Sequence, residues 1–202
     1  MKGTMLSLLL FALTTYFSLS FSTELVRDTN GNAISVSTKV YIQPPIFGAA
    51  GGGVRLGETG NSTCPLTVIQ DYSELVNGLH VSFGHFILIQ QIFTDIPLVI
   101  AFSEKPECAE SSKWVVVEDD FPKPWVSIGG SEDLKGKHII NGYFKIVEHV
   151  HGFGYNIVFC DGICHDIGRY NDENGWRLIL TENDPFEVVF ENANIGIGRS
   201  VV

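Results

Sequence analysis

Residues Trp114 to Ile128 read WVVVEDDFPKPWVSI, two short apolar segments separated by a turn-forming stretch. The segments 114–118 and 125–128 are rich in Val, Ile and Trp, which pack well on the pleated surface of a sheet. The residues between them include acidic residues and prolines, which favour turns over regular strands. The stretch therefore predicts two β-strands joined by a short connection.

The same alternation of short apolar segments and turn residues runs through the rest of the chain. Beyond the N-terminal stretch, no segment of twelve or more residues has clean helical periodicity. Evenly spaced short strands are typical of an all-β barrel or sandwich, and closure is favoured because an open sheet would leave edges that recruit other chains. The twelve predicted strands are Thr38–Ile42, Val54–Leu56, Leu66–Gln70, His80–Phe83, Leu98–Phe102, Trp114–Glu118, Trp125–Ile128, Tyr143–Glu148, Tyr155–Phe159, Asp166–Tyr170, Trp176–Leu180 and Phe186–Phe190.

A weak internal repeat accompanies this pattern. Val54–Gly57 (VRLG) resembles Val126–Gly129 (VSIG), and Asp166–Arg169 (DIGR) is similar to both. Three units of about 60 residues with four strands each would fit a pseudo-threefold barrel.

The composition excludes several classes of protein. Of the 202 residues, 45% are hydrophobic and 18% are charged, which is typical of a folded globular chain rather than a disordered one. Thirteen basic residues stand against 23 acidic ones, giving a formal net charge of −10. Nucleic acid is an unfavoured partner because duplex binding needs clustered Lys and Arg.

The N-terminus has the pattern of a secretory signal peptide. A positively charged start precedes an uncharged apolar run from Leu6 to Phe21, and small residues follow it. The run of about 16 residues is shorter than the roughly 20 that a membrane-spanning helix needs. We therefore predict a signal peptide at 1–22, with cleavage after Ser20 or Ser22, and a single mature domain at 23–202 that is secreted and not held in a membrane.

The four cysteines, Cys64, Cys108, Cys160 and Cys164, are expected to form two disulfides, since an even count in a secreted chain predicts pairing. Three pairings are possible, and the one with the shortest loops joins Cys64 to Cys108 and Cys160 to Cys164. A zinc site at Cys160 and Cys164 is not favoured, because no second pair of ligands has the necessary spacing.

Two further features are candidate surface sites, a glycosylation sequon and a pair of histidines. Asn61-Ser62-Thr63 is an N-glycosylation sequon in a polar, glycine-rich stretch, so we predict a glycan on Asn61. His149 and His151 would lie on one face of a strand, but they lack a carboxylate partner at defined spacing. We therefore predict no metal site.

Four blocks of sequence, in order along the mature chain, resemble the plant Kunitz-type (soybean trypsin inhibitor-like) family. They are Val26–Ile34 (VRDTNGNAI), Cys64–Gln70 (CPLTVIQ), Trp114–Asp119 (WVVVED) and Tyr155–Gly168, which contains YNIVFC and DIG. The resemblance implies a β-trefoil of twelve strands, a six-stranded barrel capped by three hairpins. It also implies the same cysteine pairing, no cofactor, and a secreted or vacuolar monomer that inhibits a serine protease, with a cysteine protease as the alternative partner.

The resemblance places the inhibitory loop between the first two cysteines. Counting from the Cys64 block puts Leu88 at the position that fills the protease pocket and Ile89 after the scissile bond, with Phe86, Ile87 and Gln90 completing the loop. Phe86 takes the pocket position if the register is shifted by two. A trypsin pocket needs Lys or Arg, and none occurs between residues 55 and 105. Leu predicts chymotrypsin- or elastase-like specificity and weak or absent trypsin inhibition.

One departure from the family concerns the support of this loop. Related inhibitors carry an Asn after the N-terminal block, where this chain has Val36, whose side chain cannot donate a hydrogen bond. Ser35 or Ser37 could brace the loop instead, and an unbraced loop would be a substrate rather than an inhibitor.

Two alternatives to inhibition remain at the level of sequence. The apolar run 86–89 could be a partly buried strand in a non-inhibitory storage or defence protein. The chain could also bind carbohydrate, using Trp114, Trp125 or Trp176 to stack on a sugar, although each lies in a strand pattern typical of a core. Asp119 and Asp120 are interpreted as a solvated turn, and no pair of carboxylates is singled out for catalysis. No enzymatic activity is predicted.

Overall fold

The computed structural model describes residues 23–46, 50–60, 62–150 and 152–193, and this part of the chain contains thirteen strands, all paired antiparallel. Within these ranges no helix is long and apolar enough to cross a membrane. The predicted signal peptide, Asn61 and His151 lie outside the described residues. The strands are β1 Val40–Gln43, β2 Val54–Gly57, β3 Thr67–Gln70, β4 Val81–His85, β5 Leu98–Phe102, β6 Trp114–Glu118, β7 Trp125–Ile128, β8 His138–Ile140, β9 Tyr143–Glu148, β10 Tyr155–Cys160, β11 Cys164–Asp172, β12 Gly175–Thr181 and β13 Val189–Asn192.

Each of the twelve predicted segments overlaps a strand, but the predicted number was one too low. The additional strand is β8, which pairs with β6 from Val116–Ile140 to Glu118–His138. Its three residues are too few to show the alternation by which a strand is recognised in sequence. Tertiary pairing therefore decides that this segment is a strand.

Six strands form the barrel wall, in the order β13, β1, β4, β5, β9 and β10. The ladder does not close into a ring, because β10 and β13 share no continuous pairing. A single bridge between Tyr155 and Val188 spans the gap, with two backbone hydrogen bonds of 2.8 Å. Inward-facing side chains from these strands fill the core, which includes Val40, Ile42, Phe83, Ile100, Phe144, Ile146, Ile157 and Phe190.

Three hairpins, β2–β3, β6–β7 and β11–β12, contact one another in a cycle. Strand β3 pairs with β7 at Thr67–Ser127, β7 with β12 at Trp125–Ile179, and β12 with β3 at Trp176–Gln70. Three hairpins related in this way, above a six-stranded wall, make the architecture a β-trefoil. The predicted fold class is confirmed.

Two disulfides, Cys64–Cys108 and Cys160–Cys164, hold the chain, and no cysteine is free. This is the pairing with the shortest loops. The second bridge joins the ends of β10 and β11, whereas the first spans the part of the chain that contains β3, β4 and β5.

Candidate functional site

The connection between β4 and β5, residues 86–97, carries the predicted reactive bond. Its base is the antiparallel ladder of β4 and β5, which ends at the pair His85–Leu98. Beyond this pair Phe86 and Ile87 are exposed, and Leu88 is fully exposed at 107% of its reference area. The alternative of a partly buried strand at 86–89 is therefore wrong, because these residues have no strand partner and most of them lie in solvent.

The tip of the connection is a tight turn centred on Leu88. The backbone N–H of Ile89 donates to the carbonyl of Ile87 at 2.8 Å, which closes a three-residue turn. Leu88, the central residue, thus projects farther into solvent than its neighbours. Gln90 and Gln91 are exposed, and burial resumes at Ile92, which has no exposed surface.

The N-terminal segment holds the chain where it leaves the tip. The N–H of Ile92 donates to the carbonyl of Ile34, and the N–H of Val26 donates to the carbonyl of Ile92, each at 2.9 Å. The two arms of this segment, which we call the N-terminal hairpin (residues 24–36), are paired with each other at Arg27–Ala33. Ile92 is therefore clamped between the arms by hydrogen bonds on both sides.

Val36 supports the loop in a way that its side chain does not predict. Its backbone N–H donates to the carbonyl of Gln90 at 2.9 Å, two residues after Leu88. The hydroxyl of Ser35 instead contacts those of Ser37, at 3.0 Å, and Thr38, at 2.9 Å. The loop is thus braced by the main chain, and the suggested hydroxyl braces bond within their own turn.

His85 also belongs to this site, although no pattern in the sequence predicts a role for it. Its imidazole lies between two carbonyl oxygens, with Nε2 3.0 Å from that of Gln91 and Nδ1 3.3 Å from that of Pro97. The second half of the connection is attached to the barrel at Asp95, whose N–H donates to the carbonyl of Ile146 at 2.9 Å. No sequence motif marks His85, because its partners are main-chain atoms.

Other candidate sites do not assemble. Trp114 and Trp125 are buried in the core, and Trp176 is half-buried against the ring of Tyr72, with 4.7 Å between centroids. The described residues contain no group of three or more His, Cys, Asp or Glu that could hold a metal, and the Nδ1 of His149 contacts the Oδ1 of Asn156 at 2.7 Å.

Asp119 is not the solvated residue that the sequence predicted. Its carboxylate accepts hydrogen bonds from the N–H of Phe121 at 2.9 Å, the indole N–H of Trp125 at 3.2 Å and the ammonium of Lys137. Burial alone would raise its pKa, but these hydrogen bonds and the charge of Lys137 outweigh burial and hold the pKa below its ordinary value. These three donors hold the carboxylate in the turn between β6 and β7.

Comparison with known proteins identifies the family. The sequence matches the legume Kunitz family, described as trypsin and protease inhibitor, over residues 26–192. The chain belongs to this family. The matched range begins in the N-terminal hairpin and ends in β13, so the family relationship includes the candidate reactive loop and the segment that clamps it.

Individual members of the Kunitz family are similar along most of their length. The chain is 47% identical over 201 residues to the Kunitz-type trypsin inhibitor-like 1 protein of Pisum sativum, covering 93% of this chain and 91% of that one. It is 44% identical over 182 residues to the subtilisin inhibitor CLSI-II of Canavalia lineata, covering 85% and 93%. The crystal structure of a Kunitz-type trypsin inhibitor from Cicer arietinum superimposes with a TM-score of 0.82 at 51% identity, covering 84% and 99%.

Proposed function

We propose that this protein inhibits serine proteases with an apolar primary pocket, and that Leu88 fills that pocket. The Leu88–Ile89 bond would then lie at the active site of the protease. The observation that carries this proposal is the full exposure of Leu88 at the apex of a turn whose following residues are hydrogen-bonded to the N-terminal hairpin.

Bracing matters because an inhibitor and a substrate differ mainly in how freely the cleaved segment moves. A loop held near its bound shape loses little conformational entropy on docking, so more of the contact energy appears as affinity. The hydrogen bonds from Val36 to Gln90 and around Ile92 restrain the chain two and four residues after Leu88. They would also keep a cleaved end close enough to rejoin.

The specificity part of the proposal depends on the chemistry of the side chain. A trypsin-like pocket contains a carboxylate, which an isobutyl group would leave desolvated and unpaired. A chymotrypsin- or elastase-like pocket accepts an apolar side chain. The similarity to a protein named as a subtilisin inhibitor supports a serine protease other than trypsin as the target.

The direct test is titration of the mature, oxidised protein against chymotrypsin, elastase, subtilisin, trypsin and a papain-like protease. Mass spectrometry of the recovered inhibitor would show where it is cut. We expect stoichiometric inhibition of at least one of the first three, with slow cleavage after Leu88. Rapid cleavage without inhibition, or neither, would contradict the proposal and favour a storage, defence or carbohydrate-binding role.

Leu88→Lys should convert the specificity to trypsin. The lysine would pair with the pocket carboxylate, so trypsin inhibition should improve by about a hundredfold or more, since an unpaired buried charge costs several kcal/mol. Inhibition of the apolar-pocket protease should fall in parallel. Leu75→Lys is the matched control, because Leu75 is a leucine of 84% exposure in the connection between β3 and β4. If the two variants inhibited trypsin and the apolar-pocket protease equally well, Leu88 would not be the residue that fills the protease pocket.

We further propose that the chain is secreted or vacuolar after removal of residues 1–22, and that Asn61 carries a glycan. Pairing of all four cysteines in disulfides supports an oxidising compartment. Gly60, Ser62 and Thr63, which flank Asn61, are exposed, as a glycan would require. The N-terminal sequence of the protein isolated from plant tissue would test the removal of residues 1–22, and its intact mass would test the glycan on Asn61.

A further inference from the structure

His85 occupies a position from which one side chain reaches both ends of the candidate loop. It is the last residue of β4, and the chain leaves the barrel immediately after it. Its Nε2 lies 3.0 Å from the carbonyl oxygen of Gln91, where the chain returns from the tip, and its Nδ1 lies 3.3 Å from that of Pro97, just before β5. The imidazole thus spans the mouth of the connection.

Both contacts are to hydrogen-bond acceptors, so the ring must act as a donor to hold them. A neutral imidazole has one N–H and can donate to one of the two carbonyls, while the imidazolium can donate to both. Donation through the shorter contact, at Nε2, would hold the carbonyl of Gln91. The adjacent carbonyl, of Gln90, is the one that accepts the N–H of Val36. Holding Gln91 therefore also orients the acceptor of the main-chain brace.

We propose that His85 is a positioning residue that closes the base of the reactive loop and takes over part of the support that a side chain at position 36 cannot give. This inference rests on the proposed function for its consequence in inhibition, but its structural content can be tested separately. The group does not touch the reactive bond and acts through the carbonyl oxygens of Gln91 and Pro97.

Three variants test whether the hydrogen-bond donor or the ring itself matters. His85→Leu removes both donors. His85→Asn keeps an amide, but on a side chain too short to reach the carbonyl of Gln91. His85→Gln keeps an amide nitrogen with two N–H groups on a longer side chain. His80→Leu is the matched control, since His80 directly precedes β4 and packs against the ring of Tyr41 at 5.1 Å.

For His85→Leu and His85→Asn we expect the inhibition constant and the rate of cleavage after Leu88 each to rise about tenfold, the order expected from losing one or two hydrogen bonds. His85→Gln should restore both values to within about threefold of the wild type. His80→Leu should leave both unchanged. A purely structural role would instead alter melting temperature in all the His85 variants without rescue by glutamine.

Hydrogen exchange of the Val36 amide tests the inference independently of any protease. We expect faster exchange in His85→Leu and His85→Asn, with no change in the amides of the β4–β5 ladder. Unchanged Val36 exchange would overturn the proposal. If the wild type inhibits nothing but Val36 exchange responds as expected, the proposed function fails and the positioning role of His85 stands. If His85→Leu does not fold, the comparison of Val36 exchange in His85→Gln with that in His85→Asn tests the same proposal.

Discussion

Asp119 illustrates how the surroundings of one residue decide its role. The carboxylate lies in the connection between β6 and β7, next to Asp120, and two adjacent acidic residues favour a solvated turn in the sequence alone. In the structure, Asp119 turns inward to three donors while Asp120 is exposed. The charge of Asp119 therefore contributes to the stability of the folded protein.

Asp119→Asn should lower stability in a pH-dependent way. Because the folded pKa lies below that of the unfolded chain, near 3.9, the ionised group stabilises the fold above that pH, and this contribution is lost as the pH falls through the folded pKa. We expect a loss of about 1 kcal/mol at pH 7, or about 2–4 °C in melting temperature, that shrinks below about pH 4. Thermal denaturation of the wild type and the variant from about pH 2.5 to about pH 7 would measure this loss of stability.

Asp120→Asn is the control for this measurement, since it removes the neighbouring exposed carboxylate. A difference between wild type and Asp119→Asn that stayed constant across the pH range would refute the electrostatic origin of the effect.

At the level of structural elements, the N-terminal hairpin contains the first sequence block that resembles the Kunitz family, Val26–Ile34, and it also holds the candidate reactive loop. Its turn is organised by Asp28, which is buried and whose Oδ1 accepts the N–H groups of Asn30 and Asn32, each at 2.9 Å. Gly31 adopts a φ of 81° within this turn, a conformation that most side chains disfavour. The hydroxyl of Tyr155 accepts the N–H of Arg27 at 3.0 Å and anchors the hairpin to β10.

Asp28→Ala should make the reactive loop a better substrate. Without the carboxylate, the main-chain N–H groups of Asn30 and Asn32 lose their acceptor, so the arms that clamp Ile92 should separate more easily. We expect cleavage after Leu88 to accelerate about tenfold, measured by limited proteolysis with mass spectrometry. Asn30→Ala is the comparison variant, because it leaves the turn's main-chain donor in place. Similar cleavage rates in the two variants would show that Asp28 does not control the clamp.

The repeat seen in the sequence also has its explanation at this scale. Val54–Gly57 forms β2, the first strand of its hairpin, whereas Val126–Ile128 belongs to β7, the second strand of another. The similar segments are therefore not equivalent under the threefold relationship. The prediction of three four-strand units agrees with the architecture, although these motifs do not mark corresponding positions.

For the whole molecule, the barrel core and one of the two disulfides join the three units, which are β1–β4, β5–β9 and β10–β13. An aromatic series runs from Phe102 through Trp114 and Phe144 to Phe159, with centroid distances of 5.7, 6.0 and 5.1 Å. These rings come from β5, β6, β9 and β10, so they join the second unit to the third. The Cys64–Cys108 bridge links the first unit to the second and encloses the reactive loop within its segment.

The two disulfides should contribute unequally to stability. Cys64–Cys108 joins residues 44 apart and Cys160–Cys164 residues 4 apart. The loop-entropy relation predicts that serine replacement of the first pair costs about 4 kcal/mol and of the second about 2 kcal/mol. Urea denaturation of the two double variants would measure the free energy of unfolding of each. A larger loss for the Cys160–Cys164 pair would contradict the entropic account.

Much of the fold follows from local sequence, because β-branched and aromatic segments separated by turn residues specify strands wherever they pack. The predicted strands, the β-trefoil class and the cysteine pairing are all present, and position 88 proves to be fully exposed. The three-residue strand β8 was missed because its pairing with β6 is long-range.

Local sequence was enough to predict twelve of the thirteen strands, and the family resemblance indicated which residues form the loop, but the exposure of that loop comes from the structure. The tertiary structure alone decided how that loop is held. Val36 acts through its main-chain N–H, and His85 through two main-chain acceptors that the turn of the chain brings to it. Every residue except proline carries the same main-chain N–H, and every residue carries the same carbonyl, so such bonds leave no signature in side-chain identity.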